Sequence, residues 1–140
     1  METAIKTITV ESTVKVPVQK VWKLWTEPSH IKSWNNASDD WHTPAAENDL
    51  KVGGKFNVRM EAKDGSFGFD FGGAYDEVKL NQTIAYTIGD GRKVKVAFAE
   101  KGNETNVIEI FEPENENPID LQRNGWQAIL DNFKKYVESN

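Results

Sequence analysis

The last residues of the chain, 117–140, carry an amphipathic helical pattern that the rest of the fold has to accommodate. Asn117 is a favoured capping residue, and Pro118 suits a first helical turn, where its missing N–H would have no partner. Apolar residues then recur at steps of three and four, at Trp126, Ile129, Leu130, Phe133 and Val137. Gly125 costs about 1 kcal/mol in a helix relative to Ala. It indicates a close approach by another backbone or a ligand, or has no special role.

Two short helices are predicted near the start of the chain, after a first strand. Apolar and polar residues alternate through Ile5–Lys15, as in a half-buried strand. Pro17 and Pro28 each suit the first turn of a short helix. Residues 35–52 have no clean period, so we expect an irregular segment there.

From residue 53 onward the pattern changes to the period of two that strands show. Lys63-Asp64-Gly65 separates two alternating runs and is a strong hairpin signal. Gly72-Gly73 indicates a bulge or a sharp bend within one strand. The five predicted strands are one around Phe56–Met60, then Ser66–Val78, Thr83–Ile88, Lys93–Glu100 and Thr105–Glu112. Turns this tight predict an antiparallel sheet.

The order of these elements predicts one α+β domain over residues 1–140. A curved antiparallel sheet of about six strands would cover the apolar stripe of the terminal helix. The two short helices would follow the first strand. A chain of 140 residues is long enough to bury such a core without disulfides or a structural metal.

The composition argues against several classes of partner and site. A formal net charge of −5, without a run of Lys or Arg, argues against nucleic acid and anionic membrane surfaces. With no cysteine, only two histidines and no serine next to a fitting base, we expect no disulfide, no metal site and no catalytic nucleophile. The first residues lack a basic segment followed by an apolar one, and no apolar run reaches about 18 residues. We therefore expect a cytoplasmic monomer without a cofactor and without stable membrane insertion.

Several segments, taken in order, resemble the motifs of one known family. They are VWKLWTEPSHIKSW at 21–34, DLKVGGKF at 49–56, KDG at 63–65, YDEV at 75–78 and NGWQAIL at 124–130. They are similar to AHSA1-like domains (activator of Hsp90 ATPase homologue 1-like) of the START/Bet v 1-like superfamily, also called SRPBCC or polyketide cyclase-like. The resemblance implies a helix-grip fold with a cavity between the sheet, the terminal helix and the two short helices.

The candidate cavity residues are mostly aromatic, and for each of them the alternative is ordinary core packing. They are Trp25, Trp34, Trp41, His42, Phe56, Arg59, Phe69, Phe71, Tyr75, Tyr86, Trp126 and Leu130. Sheet parity leaves Arg59 either in solvent or buried as a cation for an anionic ligand. His42 is either a surface residue or pairs with Asp39 or Asp40 for proton transfer.

Three functions are compatible with this pattern. The first is non-enzymatic binding of a small hydrophobic or amphipathic molecule, such as a lipid or an aromatic compound. The second is a polyketide cyclase-like enzyme, in which His42 or an Asp moves protons on a bound aromatic precursor. The third is a co-chaperone-like interaction module with a chaperone partner. A buried Trp41 and His42 would favour the first two, and an exposed aromatic patch the third. We favour the binding protein.

Overall fold

A seven-stranded antiparallel sheet curves around one long helix at the end of the chain. The computed structural model describes residues 7–36 and 38–139. The elements are β1 (Ile8–Val14), α1 (Val18–Thr26), α2 (Pro28–Trp34), β2 (Trp41–Asn48), β3 (Lys55–Ala62), β4 (Gly68–Lys79), β5 (Thr83–Ile88), β6 (Lys93–Lys101), β7 (Glu104–Phe111) and α3 (Ile119–Glu138). The predicted α+β fold is confirmed.

The strands lie side by side in chain order, except that β1 returns to the far edge beside β7. The order across the sheet is β1-β7-β6-β5-β4-β3-β2, and each neighbouring pair is antiparallel. Gly65, Gly91 and Gly102 have positive φ in the turns after β3, β5 and β6, a conformation that favours glycine. Because β1 and β2 lie at opposite edges, α1 and α2 connect the two edges. They pack on the inner face, where the Trp22 and Phe98 rings are 5.4 Å apart.

Strand β2 lies in the segment that we expected to be irregular, so the sheet has seven strands rather than about six. It pairs with β3 from Trp41 opposite Ala62 to Asn48 opposite Phe56. The register shifts between His42 and Ala45, which flank a proline. An edge strand tolerates such an interruption because one side of its backbone needs no strand partner. Because the shift breaks the alternation of apolar and polar residues, the sequence pattern did not predict this strand.

The terminal helix α3 buries its apolar stripe as predicted. Leu130, Phe133 and Val137 are fully buried. The helix begins at Ile119, and Asn117 does not cap it, because the Asn117 side chain donates a hydrogen bond to Glu114 instead. The predicted Asn117 cap is therefore wrong.

The paired glycines of β4 lie where neighbouring strands come close. A Cβ on Gly73 would lie 2.2 Å from the backbone oxygen of Thr87, and one on Gly72 would lie 2.8 Å from that of Phe56. The register shift between β4 and β5 comes slightly later, between Tyr75 and Glu77. The register shift is therefore not at the paired glycines, which instead permit the close approach of the neighbouring strands.

Candidate functional site

A pocket of about 300 Å³ lies between the inner face of the sheet, the two short helices and the first half of α3. Much of its wall is apolar, with Val58, Met60 and Ile129 beside several aromatic rings. Seven of the predicted candidates line it, namely Trp25, Trp34, Phe56, Phe69, Phe71, Tyr86 and Trp126. A mostly apolar hollow with a few polar groups is the usual form of a small-molecule site.

Ring packing holds the aromatic wall of the pocket in place. Trp126 of α3 stacks on Phe111 of β7, with ring centroids 3.8 Å apart and planes inclined by 9°. Phe71 meets Trp126 edge-on at 6.2 Å. Phe56 meets Tyr86 edge-on at 4.9 Å. Stacked and edge-on arrangements add stability beyond the burial of area. The wall is therefore preorganised by contacts within the protein.

An acidic residue, Glu109 of β7, also lines the pocket. It occupies the inner-face position between Val107 and Phe111, and its neighbours on the adjoining strands are Val10 and Val96. Glu109 is only 5% exposed, and no hydrogen bond or ion pair joins its carboxyl group to another described residue. Burial raises the pKa of Glu109 to about 8, so the carboxyl group is mostly neutral at pH 7.

Sequence reasoning missed Glu109, although a signal for it was present. The alternation of the last predicted strand places Thr105, Val107, Glu109 and Phe111 on one face. Three of these suit a buried face, so the glutamate is the exception. An acid on the apolar side of a strand was the available indication of a special role.

Tyr86 of β5 adds a hydroxyl group to the same pocket. It is buried, and burial together with the nearby carboxyl group of Glu109 raises the pKa of Tyr86 well above its usual value. No hydrogen bond links this hydroxyl to the rest of the described structure. The pocket thus presents two polar groups, an acid and a phenol, that the described residues leave unpaired.

Three other polar residues of the pocket wall, Arg92, Glu114 and Gln122, have hydrogen-bond partners within the protein. Arg92 donates from Nε to Oδ2 of Asp90 at 2.7 Å. Gln122 donates from Nε2 to the backbone oxygen of Asn117 at 2.8 Å, and its Oε1 accepts from the backbone N–H of Glu114 at 2.9 Å. The backbone N–H of Asn117 donates to the Glu114 carboxylate at 2.6 Å, and this bond lowers the pKa of Glu114. These groups order the connector before α3.

Residues 15–138 match the family model described as "Activator of Hsp90 ATPase homolog 1-like protein". The chain belongs to this AHSA1-like family. The membership fits the START/Bet v 1-like superfamily that the motifs indicated. No curated protein sequence matches the chain significantly.

Solved structures of similar proteins share the fold over almost the whole chain. An AHSA1-like protein from Aeromonas hydrophila is 43% identical, with 96% of this chain and 93% of that one covered and a TM-score of 0.90. Protein Chr148 from Cytophaga hutchinsonii is 59% identical, with 95% and 92% covered and a TM-score of 0.83. Protein CV1439 from Chromobacterium violaceum, at 21% identity, 96% and 98% coverage and a TM-score of 0.85, shows similarity of fold alone.

Two of the candidates in this AHSA1-like chain, Arg59 and His42, lie on the outer face of the sheet and not in the pocket. Val58 is buried on the inner face, so strand alternation turns Arg59 outward. There Arg59 forms ion pairs with Glu61 at 2.9 Å and Asp70 at 3.5 Å. His42 lies 3.8 Å from Glu61. Arg59 therefore lies on the solvent side of the sheet, and His42 lies outside the pocket.

Tyr75 and Leu130 are buried but do not line the pocket of the AHSA1-like fold. The hydroxyl group of Tyr75 donates to Oδ1 of Asn48, whose Nδ2 donates to the backbone oxygen of Thr26 at 2.6 Å. Burial raises the pKa of Tyr75. Leu130 of α3 is fully buried in the core between the helix and the sheet. Both side chains are therefore packed in the core, outside the pocket lining.

Trp41 lies outside the pocket, at the start of the edge strand β2. Its ring is 6.0 Å from the rings of both Phe67 and Phe69. Phe67 is 61% exposed and Phe69 is 38% exposed. These three residues form an aromatic cluster in which Phe67 and Phe69 are exposed and Trp41 is half-buried. Phe69 also borders the pocket.

A second pocket, of about 500 Å³, lies on the surface beside the outer side of α3. Nearly all of its lining residues are polar or charged, among them Asp39, Asp131, Lys134 and Glu138. It is open to solvent and lacks the apolar walls of the inner pocket. We therefore place the candidate site in the inner pocket.

Two kinds of feature are absent from residues 7–36 and 38–139. No group of three or more His, Asp or Glu side chains there is arranged to hold a metal ion. In the same part of the chain, each helix is too short or too polar to cross a membrane.

Proposed function

We propose that this AHSA1-like chain binds one small hydrophobic or amphipathic molecule in the pocket between its sheet and α3. One observation carries the proposal: a pocket of about 300 Å³ combines aromatic walls with two unpaired polar groups. Burial of apolar surface is worth about 25 cal/mol per Å² and would supply affinity. Polar groups that converge on such a pocket orient the ligand.

The rigidity of the wall supports this proposal. Trp25 and Trp34 lie 4.9 Å apart, and both contact Phe133 at 4.8 Å. The indole N–H of Trp34 donates to the backbone oxygen of Leu24 at 2.9 Å. A wall that is ordered before the ligand arrives loses little conformational entropy on binding.

The proposal is tested with 1-naphthalenemethanol, a neutral and fluorescent molecule. We expect saturable binding by the unmodified protein, measured by fluorescence titration. Ile129→Trp fills part of the pocket because Ile129 lines it, so binding should weaken at least tenfold. Ile110→Trp is the matched control because Ile110 alternates with the buried Glu109 and Phe111 and so faces outward. It should leave binding unchanged.

Two results would count against ligand binding in this pocket. One is the absence of saturable binding by the unmodified protein. The other is equal weakening by Ile129→Trp and Ile110→Trp, with melting temperatures showing that both variants are folded. Native mass spectrometry of protein purified gently from its host would complement the titration. A co-purified mass that is lost on denaturation would identify the class of the natural ligand.

A second candidate function is a protein interaction of the co-chaperone kind, which the family description suggests. The cluster of Trp41, Phe67 and Phe69 favours it, because exposed aromatic side chains in contact with one another often mark interaction sites. On this hypothesis the cluster contacts Hsp90 and stimulates its ATPase activity.

The interaction hypothesis is tested by measuring ATP hydrolysis by the host's Hsp90 with and without this protein. We expect stimulation that Phe67→Ser reduces severalfold, because the substitution removes the most exposed ring of the cluster. Leu80→Ser is the control, since Leu80 is 69% exposed in the turn between β4 and β5, outside the cluster. An unchanged ATPase rate in the presence of excess protein would rule out this activity.

A further inference from the structure

We propose that the pocket recognises a hydrophobic amine, whose protonated nitrogen pairs with the carboxylate of Glu109. This inference rests on the ligand-binding function proposed above and specifies the class of ligand. It begins from an acid that is 5% exposed, lines the pocket, and forms no hydrogen bond or ion pair with the rest of the described chain.

A buried carboxyl group without a partner is rare, because burial of an unpaired charge is costly. The protein supplies partners to the other acid of the pocket, because two backbone N–H groups donate hydrogen bonds to Glu114. Unlike Glu114, Glu109 has no hydrogen-bond or ion-pair partner in the described chain, although it borders an open pocket. A polar or charged group of a ligand would supply the missing partner of Glu109.

The charge and the walls of the pocket favour a cation as that partner. Arg92, the one basic side chain among the described lining residues, is paired with Asp90, whereas Glu109 and Glu114 are both acids. An anionic ligand would find no unpaired basic side chain in the described lining, and its negative charge would oppose the ionisation of Glu109. Aromatic faces attract cations, and the wall supplies them at Trp126 and its neighbours. A flat or aliphatic amine would use both features at once.

The groups around Glu109 predict how binding depends on pH. Of the strands beside it, β1 and β6 contribute Val10 and Val96, which do not titrate. Helix α3 contributes Gln122 and Trp126, which do not titrate either. The titratable groups that share the pocket are Tyr86, Arg92 and Glu114.

Glu109 is the group among these whose proton is exchanged near neutral pH, because burial raises its pKa to about 8. A bound cation stabilises the carboxylate and lowers this pKa, so binding at pH 7 should release a proton. Amine affinity should rise as the pH increases from 6 towards 9. It should fall once the amine itself loses its proton, near the ordinary pKa of an alkylamine at about 10.

The experiment compares three probes of nearly the same shape: 1-naphthylmethylamine, 1-naphthalenemethanol and 1-naphthoic acid. At pH 7 we expect the amine to bind about tenfold more tightly than the alcohol, and the acid to bind more weakly than both. Titration calorimetry in buffers with different ionisation enthalpies should detect proton release with the amine and none with the alcohol.

Two variants and one spectrum complete the test. Glu109→Gln keeps the size of the side chain and removes its charge, so it should abolish the preference for the amine. Glu104→Gln, at the exposed start of the same strand, should preserve it. Carbon-detected NMR of the Glu109 carboxyl group in the unmodified protein needs no variant. The pKa of Glu109 should fall when the amine binds and remain unchanged when the alcohol binds.

The outcomes separate this inference from the function on which it rests. If the alcohol and the amine bind equally, or if Glu109→Gln keeps the preference, the amine assignment is overturned while the ligand-binding function stands. If none of the three probes binds, the ligand-binding function is overturned together with the amine assignment.

Discussion

Ionising a carboxyl group on the inner face of the sheet has a free-energy cost, and for Glu109 no hydrogen bond or ion pair within the described fold offsets it. Glu109 is surrounded along the sheet by Val10, Val96, Val107 and Phe111, all buried. The protein avoids charging it by holding its proton, which is why the pKa of Glu109 rises to about 8. The unfolded chain, in water, ionises the same group near 4.5. Stability must therefore depend on pH through this one residue.

The direction of that dependence follows from proton binding. Between about pH 4.5 and 8 the folded chain binds more protons at Glu109 than the unfolded chain does, so the free energy of unfolding falls as the pH rises. We predict that Glu109→Gln removes this contribution. Urea unfolding measures the free energy of unfolding of both proteins. As the pH rises through this range, the variant should gain up to about 1.4 kcal/mol per pH unit relative to the unmodified protein.

Glu104→Gln provides the control, because Glu104 lies exposed on the same strand. Its stability difference from the unmodified protein should stay flat over this pH range. A flat difference for Glu109→Gln as well would mean that the carboxyl group is already ionised in the folded protein at neutral pH.

At the scale of one element, α3 has two functions along its length. Its first half brings Gln122, Trp126 and Ile129 to the pocket, and its second half packs Phe133 and Val137 into the core. The site and the core thus share one rigid helix. The chain is therefore able to hold a pocket open at one end of α3 while the other end stabilises the fold.

Glycine substitutions distinguish the constraints on α3 from those on β4. A Cβ on Gly125 would meet nothing within 4 Å, so no close backbone explains that glycine. We predict that Gly125→Ala stabilises the protein by about 1 kcal/mol, through the better helix propensity of alanine. Gly73→Ala should destabilise it by more than that, because its Cβ would lie 2.2 Å from the backbone oxygen of Thr87. Urea unfolding measures both changes, and a loss of stability in Gly125→Ala would contradict the helix argument.

At the scale of the whole molecule, the sequence predicts what is encoded locally. Helical spacing, glycine turns and alternation sufficed for α3, for both short helices and for six of the seven strands. The edge strand β2 was missed because the register shift that follows His42 breaks its alternation. The family resemblance, now confirmed by the match over residues 15–138, predicted how these elements assemble.

The site was predicted less completely, because it depends on pairing between distant strands. Aromatic residues were good candidates, because a large ring on an apolar face either packs in the hydrophobic core or lines the pocket. Arg59 could not be placed, because a shift of one residue in register reverses the face on which a side chain lies. The pairing of Val58 with Phe71 fixes that register. Glu109 looked like one more acid in an acidic chain until its strand was placed at the inner face.

The protonated state of Glu109 also changes the charge that the folded molecule presents to its surroundings. The formal net charge of −5 counts every acid as ionised. With this carboxyl group neutral, the folded chain at pH 7 is close to one unit less negative than the formula implies. Unfolding restores the missing charge, so the folded and unfolded forms differ in electrophoretic mobility for a reason beyond their size. Glu109 therefore contributes to the formal charge of the composition but hardly to the electrophoretic mobility of the folded protein at pH 7.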